Sequence, residues 1–341
     1  MPLKSNQPLC ADLRSAVEYE LKNAVIKNLS GYPQEYLDML LYQLGLDECG
    51  GAEKGRGKRI RPLLVLQACQ AAGGDWQQAL PAAAAVEMVH NFSLIHDDIQ
   101  DRSDTRRGRP TIWKKWGEAQ AINAGDAMLN LAVFSMLTNT SGVEEKKLLK
   151  AVEMLQLACL KLTRGQHLDI AFENKDDLPI EFYWQMVEGK TGALLGTSLG
   201  LGVLIAGVSD DDIRALVEIG IKIGNAFQVQ DDWLGIWGDV QKTGKSTLSD
   251  LTSKKKTYPV LLGLKNRATF FENWISGGEI TSERGRILAD LLQKEGIEEK
   301  TRLTYGSLYS EAIQELLALK FDVQSTTPLI QELQALFDRT K

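Results

Sequence analysis

An all-helical fold is what this sequence predicts, on three observations. Apolar residues recur at helical spacing through most of the chain, alternating strand runs and Asn-Gly hairpin turns are missing, and no self-similar period of roughly 20–50 residues stands out. Residues 10–29 read as an amphipathic helix that stops at Gly31-Tyr32-Pro33, and 34–45 read as a second. A glycine-rich basic loop, GGAEKGRGK, fills 50–58. Pro62 then stands in the first turn of an apolar helix, where its missing N–H costs nothing, and Gly73-Gly74 ends that helix. Pro81 opens the next, whose four alanines at 82–85 favour helix and let a neighbour approach closely. Further helices are expected over 118–138, 145–172, 180–207, 210–236 and 257–268, with two or three more in the C-terminal part. The whole chain, 1–341, reads as a single helical domain.

Composition narrows the function classes. Hydrophobic residues at 44% and charged residues at 25% suit an ordinary globular protein that buries a sizeable core. A net charge of -6 supplies no general attraction to nucleic acid, so any polyanion must meet a local basic cluster. The four cysteines (Cys10, Cys49, Cys69, Cys159) form no C-x-x-C pair, which suggests neither a zinc site nor a disulfide framework. Three histidines make a His-rich metal site a poor expectation. The N-terminus has no apolar signal core, and no stretch reaches the roughly 18 uninterrupted apolar residues of a membrane span. The segment 191–208 comes closest, but its five glycines mark a tightly packed internal helix. The expected location is the cytoplasm, with no membrane span.

Two acidic helix ends carry the chemistry. In Asp97-Asp98-Ile99-Gln100-Asp101, Asp97 and Asp101 are i and i+4, so their carboxylates share a face about 5–6 Å apart. His90 falls on that face two turns earlier. Like charges at this spacing destabilise a helix, and the macrodipole disfavours anions at its C-terminal end. A hard divalent cation bridging to phosphate supplies a reason for them, because Mg²⁺ prefers carboxylates, water and phosphate oxygens. The alternative is a solvated acidic helix end. Arg106, Arg107 and Arg109 follow within eight residues, and clustered guanidiniums suit bidentate phosphate binding. About 130 residues later, Phe227-Gln228-Val229-Gln230-Asp231-Asp232 repeats the layout, again followed by a basic loop that carries Lys242, Lys245, Lys254, Lys255 and Lys256. Gly244-Lys245-Ser246 is not a P-loop, since that template needs glycine at Asp239 and a strand before it.

Taken together, these residues resemble the trans-prenyl diphosphate synthase family (polyprenyl synthetases). Five motifs in family order carry the resemblance: GKRIRP at 57–62, HDDIQDRSDTRRGRPT at 96–111, GK-T at 189–191, FQVQDD at 227–232 and GKSTLSDLTSKKKT at 244–257. The resemblance implies a bundle of long helices around a central cavity, usually as a homodimer. It implies Mg²⁺ held by Asp97, Asp98 and Asp101 of the first motif and Asp231 and Asp232 of the second, facing each other across the cavity mouth. Arg106, Lys190, Thr191, Gln228, Lys245 and Lys255 match contacts to an allylic diphosphate (dimethylallyl, geranyl or farnesyl), with Arg106 and Lys190 acting beside the aspartates in catalysis. Lys58, Arg61, His90 and Arg107 match the isopentenyl diphosphate pocket. The implied reaction condenses these substrates into a linear prenyl diphosphate.

Two departures stand out. Gly235 replaces the third aspartate of the second motif, so metal ligation there rests on the first pair, helped by Asp239. Lys254 replaces the usual glycine before Lys255.

In this family, side chains one turn before the first motif act as a floor for the growing chain. Phe92 and Ser93 occupy positions five and four before Asp97, which resembles the geranylgeranyl (C20) type; an ordinary core aromatic is the other reading of Phe92. Farnesyl and longer products remain alternatives. Smaller signals include His96 as a hydrogen-bonding neighbour of the aspartates, Gln166 and Asp169 as cavity-lining polar groups or simple helix-face polarity, and Trp113 and Trp116 as packing for the loop after the arginines. The C-terminal Asp338-Arg339-Thr340-Lys341 reads more as a frayed end than as a closing segment. A class I terpene cyclase would not need Lys58, Arg61 and Arg107, and a non-catalytic partner subunit would be expected to have lost aspartates.

Overall fold

A computed structural model describes residues 10–47, 56–139, 142–173, 175, 178–238 and 248–338. In chain order the helices are α1 (Cys10–Asn28), α2 (Gln34–Leu44), α3 (Ile60–Ala71), α4 (Leu80–Gln100), α5 (Ile112–Trp116), α6 (Glu118–Asn139), α7 (Glu145–Phe172), α8 (Ile180–Val187), α9 (Ala193–Ala206) and α10 (Asp210–Trp237). They continue with α11 (Ser249–Thr252), α12 (Tyr258–Asn266), α13 (Thr269–Ile275), α14 (Ser282–Lys294), α15 (Ile297–Ala318) and α16 (Val323–Phe337). The fold is all-α, and the helix boundaries expected from periodicity and from proline and glycine punctuation hold to within one or two residues, but four helices, α13 to α16, follow α12 where two or three were expected.

The chain gathers into two compact units. One comprises Met1–Gln156, Ser198–Ile213 and Phe321–Leu329; the other comprises Leu157–Thr197, Arg214–Lys320 and Ile330–Lys341. In the first, α4 packs against α1, α3 and α6. Its alanines 83–85, with Val86, Met88 and Val89, are fully buried, as are Leu63 to Leu66 of α3. Small side chains bring α4 and α6 close together: at Gly125 of α6 any side chain would run into the ring of His96. The second unit has its own core, built from Tyr183, Val187, Leu261, Phe270, Leu288, Leu292 and Ile297 on α8, α12, α13, α14 and α15.

Two local features escape a periodicity reading. The loop after α4 contains a minimal antiparallel hairpin, β1 (Thr105–Arg106) against β2 (Arg109–Pro110). Its two-residue turn is Arg107-Gly108, with φ of 53° and 74°. Positive φ at both central residues is the geometry of a type I′ turn, usually signalled by Asn-Gly or Asp-Gly. The expected helix 180–207 is interrupted by a π-helical turn over Glu188–Gly192. The most apolar window of Ile180–Ala206 is 89% buried, in keeping with the internal helix expected at 191–208.

Candidate active site

The first aspartate motif sits where α4 ends. Gln100 is the last helical residue, and Asp101 caps the helix with its N–H on the Asp97 carbonyl at 2.8 Å. The three carboxylates have different environments: Asp97 is half-buried, Asp101 is exposed and Asp98 is 2% exposed. The hairpin turns the chain back so that Arg106 grips Asp98, with Nε at 2.9 and 3.0 Å from its two oxygens and Nη2 at 2.8 Å. Burial raises the pKa of Asp98, and the Arg106 hydrogen bonds and charge oppose that rise. Arg109 is spent elsewhere: its guanidinium bonds Asp47 at 2.8 Å and lies 3.8 Å above the Tyr42 ring. The arginine cluster read from sequence therefore reduces to Arg106 and Arg107.

A basic cradle forms in the same unit. Gly57 has φ of 70°, and the Arg107 guanidinium lies where a side chain at that position would stand, 2.6 Å from an added Cβ. Lys58 is exposed, and Arg61 is partly exposed with Nη1 at 3.4 Å from His90 Nε2. Burial first, then the charges of Arg61, Arg107, Arg106 and Arg59, push the His90 pKa well below its usual value. A neutral imidazole among guanidiniums is a setting that suits a bound anion. Arg61, His90 and Arg107 are thus brought together, while Lys58 is exposed on the adjoining loop. Sequence reading missed Arg59 and Glu87, which form a buried ion pair at 2.6 Å directly behind them. The one available signal was Arg59 itself, standing between Lys58 and Arg61 in GKRIRP.

The second motif lies on α10 in the other unit. Gly220 and Gly224 of α10 cross Gly192 and Gly196 so closely that a Cβ at Gly220 would lie 2.6 Å from the Gly196 α-carbon. The same holds for Gly224 and Gly192. That crossing brings Thr191, in the π turn, to Gln228: its hydroxyl donates to Gln228 Oε1 at 3.1 Å, and Gln228 Nε2 donates to Asp232 at 2.9 Å. Asp232, 4% exposed, also accepts from the Tyr183 hydroxyl at 2.6 Å and the Tyr258 backbone N–H at 2.9 Å. Burial lifts its pKa to about 7 against the pull of these three donors. Asp231 beside it is partly exposed. Lys190, also in the π turn, pairs with Asp169 at 2.5 Å, which gives the Asp169 noted in sequence a partner. Tyr183 and Tyr258 carried no signal, being 49 and 26 residues from the aspartate they hold.

The end of α16 meets this motif. Gln230 Nε2 donates to the Phe337 carbonyl at 3.0 Å, and the Phe337 ring packs on Phe227 and Tyr309. Phe337 is therefore tied down, whereas Arg339 to Lys341 of the segment read as a frayed end lie outside the described residues, as do Cys49, Asp239, Lys242 and Lys245. Lys255 is exposed, following Lys254, whose φ of 55° shows why glycine suits that position. At Gly235 the space for a side chain is filled by the carboxylate of Asp250 on α11.

Phe92 is 5% exposed and meets the ring of His96 edge-on at 4.8 Å, while the Ser93 hydroxyl turns back to the His90 carbonyl at 2.8 Å. His96 Nε2 stands 3.6 Å from Asp126. Trp113 donates to the Ser103 carbonyl at 2.8 Å and Trp116 packs on Tyr42, holding the loop after the arginines as expected. The free thiols of Cys69 and Cys159 are buried.

Among the described residues no three carboxylate, imidazole or thiol groups form a cage of their own for a metal ion. Each unit carries hard oxygen donors of its own: Asp97, Asp98 and Asp101 where α4 ends, and Asp231 and Asp232 on α10. Donors of this kind suit Mg²⁺, which is held by one or two carboxylates and takes its remaining ligands from substrate phosphates and water. Asp98 and Asp232 have their oxygens committed to neighbouring donors.

Known proteins match this arrangement. The family model described as polyprenyl synthetase matches residues 52–287. The chain is 47% identical over 225 residues to a (2E,6E)-farnesyl diphosphate synthase of Mycobacterium tuberculosis, a match covering 64% of this chain and 60% of that protein. It is 37% identical over 266 residues to a geranylgeranyl diphosphate synthase of Saccharolobus solfataricus, covering 76% and 80% respectively. The crystal structure of geranylgeranyl pyrophosphate synthetase from Pyrococcus horikoshii superposes with a TM-score of 0.86 at 29% identity, over 96% of this chain and 97% of that one. The match to the mycobacterial relatives spans three-fifths of their length, whereas the family model takes in both aspartate motifs and the basic cradle. The chain belongs to the polyprenyl synthetase family.

Proposed function

We propose that this chain is a Mg²⁺-dependent prenyltransferase acting as one catalytic domain. It joins isopentenyl diphosphate to an allylic diphosphate and releases a linear prenyl diphosphate with inorganic pyrophosphate. The observation that carries this reading is the cradle around His90: Arg61 and Arg107 beside a neutral imidazole, on a helix that ends in aspartates.

Each group has a task its surroundings permit. Lys58, Arg61 and Arg107 bind the diphosphate of the isopentenyl substrate, with neutral His90 adding hydrogen-bonding capacity and no charge. Asp97, Asp98 and Asp101 of the first motif, and Asp231 and Asp232 of the second, would hold the metal, which when bound neutralises the leaving diphosphate. Asp98 also fixes Arg106, and Asp232 also fixes Gln228 against Thr191. Arg106, Lys190, Thr191, Gln228, Lys245 and Lys255 contact the allylic diphosphate, whose carbon–oxygen bond breaks with the electron pair leaving on pyrophosphate. The isopentenyl double bond attacks the resulting allylic cation, and loss of one proton, to a pyrophosphate oxygen, restores neutrality at carbon. No side chain is assigned as the base.

The product is taken as geranylgeranyl diphosphate on the strength of buried Phe92, one turn before the aspartates; relatives are named for both C15 and C20 products. A cytoplasmic homodimer is the proposed form, and Ile122, Phe134 and Leu137 leave apolar surface exposed on α6 for such an interface. The deciding experiment incubates the protein with Mg²⁺, isopentenyl diphosphate and dimethylallyl, geranyl or farnesyl diphosphate in turn, and sizes the products. Elongation that EDTA abolishes is expected. No elongation from any primer overturns the assignment.

A further inference from the structure

We propose that Arg59 is a positioning residue for the first diphosphate cradle: its buried pairing with Glu87 locks the 57–61 segment in the one backbone path that presents Lys58 and Arg61 together. This rests on the prenyltransferase reading above and adds a residue to it.

The backbone argues first. Arg59 closes the loop and caps α3, its carbonyl accepting from Leu63 N–H at 3.2 Å, yet its φ is 53°. A non-glycine residue in this left-handed region is strained, because its Cβ crowds the following carbonyl. Such a conformation persists only when surrounding contacts over-determine it, and strain of this kind gathers at functional segments. Together with Gly57, at 70°, it places a left-handed residue on each side of Lys58.

The side chain supplies the determining contacts. The Arg59 guanidinium is 0% and the Glu87 carboxylate 3% exposed, with 2.6 Å between Nη1 and Oε1. Nη2 donates to the carbonyl of Leu44, at the end of α2. Glu87 also accepts from Asn91 Nδ2 at 3.2 Å, and Asn91 Oδ1 accepts from Gln43 at 3.4 Å, so α2, α3 and α4 share one polar network. Arg59 Nε has no hydrogen-bond partner among the described residues. A buried, incompletely satisfied ion pair is a poor device for stability, since apolar residues of similar volume often do as well or better. Its location explains it better. With Arg59 turned inward, Lys58 is left exposed and Arg61 is left beside His90, on the segment whose Gly57 receives the Arg107 guanidinium.

The test compares wild type with Glu87→Gln, Arg59→Lys and Arg59→Met. Glu87→Gln keeps shape but leaves the Arg59 charge unpaired, whereas Arg59→Lys keeps the charge pair, so kinetics are read on variants that show a cooperative thermal melt. Steady-state kinetics should show the KM for isopentenyl diphosphate raised about tenfold in Glu87→Gln and more in Arg59→Met, with Arg59→Lys between wild type and Arg59→Met. Both kcat and the KM for the allylic substrate should stay within twofold. Hydrogen–deuterium exchange should quicken in residues 56–63 of the ligand-free variants. An unchanged isopentenyl KM with unchanged exchange, or equal losses for both substrates, overturns the proposal. If wild type elongates nothing, the function assignment fails instead, and exchange with inorganic pyrophosphate titration still decides the role of Arg59: unaltered exchange and pyrophosphate affinity in Glu87→Gln would sink it.

Discussion

The guanidinium of Arg107 occupies the space above Gly57 where any other residue would carry its β-carbon, 2.6 Å from that position. Glycine is needed there twice over, for its φ of 70° and for the room it leaves. Gly57→Ala should cost about 1–2 kcal/mol from the left-handed backbone alone. It should also expel Arg107 from the cradle, with the isopentenyl KM rising more than the allylic KM. Denaturant unfolding and steady-state kinetics on one preparation measure both; equal KM changes for the two substrates would contradict the packing.

His90 predicts a pH dependence whose sign follows from proton counting. Its folded pKa lies well below the usual value of about 6.5, so from there downward the unfolded chain binds a proton that the fold refuses. Stability should therefore fall as pH drops below about 6.5, and His90→Asn should flatten that fall. Urea unfolding in a pH series decides, and parallel curves for the two proteins would refute the assignment.

Tyr183 donates one of three hydrogen bonds to buried Asp232, and Tyr183→Phe should cost about 1–3 kcal/mol because a buried acceptor loses a partner. Asp232 itself has the opposite pH signature to His90. The fold keeps its proton up to about 7 while the unfolded chain gives it up near the ordinary carboxyl value. In EDTA, stability should decline as pH rises through that window, and Asp232→Asn should remove that part of the slope. Calorimetry across pH tests it; an unaltered slope would be the contrary result.

Gly235 stands where many relatives of the resembled type carry a third aspartate, and Asp250 fills that space. Gly235→Asp should accordingly destabilise the protein by about 1–3 kcal/mol through overpacking and like charge. Adding Asp250→Ala should recover most of the loss. Thermal melts of the three proteins give the answer, and a stable single variant would show the site to be roomier than it is drawn.

Phe92→Ala should lengthen the product if the ring is the floor of the growing chain. Emptying a buried aromatic position also costs about 3–5 kcal/mol, so products are to be compared at a temperature where the variant remains folded. An unchanged product length removes Phe92 from that role.

The sequence by itself determined the helices and the two acidic helix ends, because both are local. Apolar spacing, Pro62, Pro81 and Gly73 act within a turn or two of where they stand, and Asp97 and Asp101 share a face by helical arithmetic alone. It also marked Lys58, Arg61, His90 and Arg107 through a family resemblance. Only the tertiary structure decided how neighbouring, chemically equivalent groups divide their work. Asp98 is sealed against Arg106 while Asp101 stays exposed; Arg109 leaves the cluster for Asp47; Tyr183 reaches Asp232 across 49 residues of chain. The Arg107-Gly108 turn and the π turn under Lys190 likewise came from contacts outside their own segments. Local propensity cannot tell one carboxylate from the next, because the difference lies in burial and in partners brought from afar by folding.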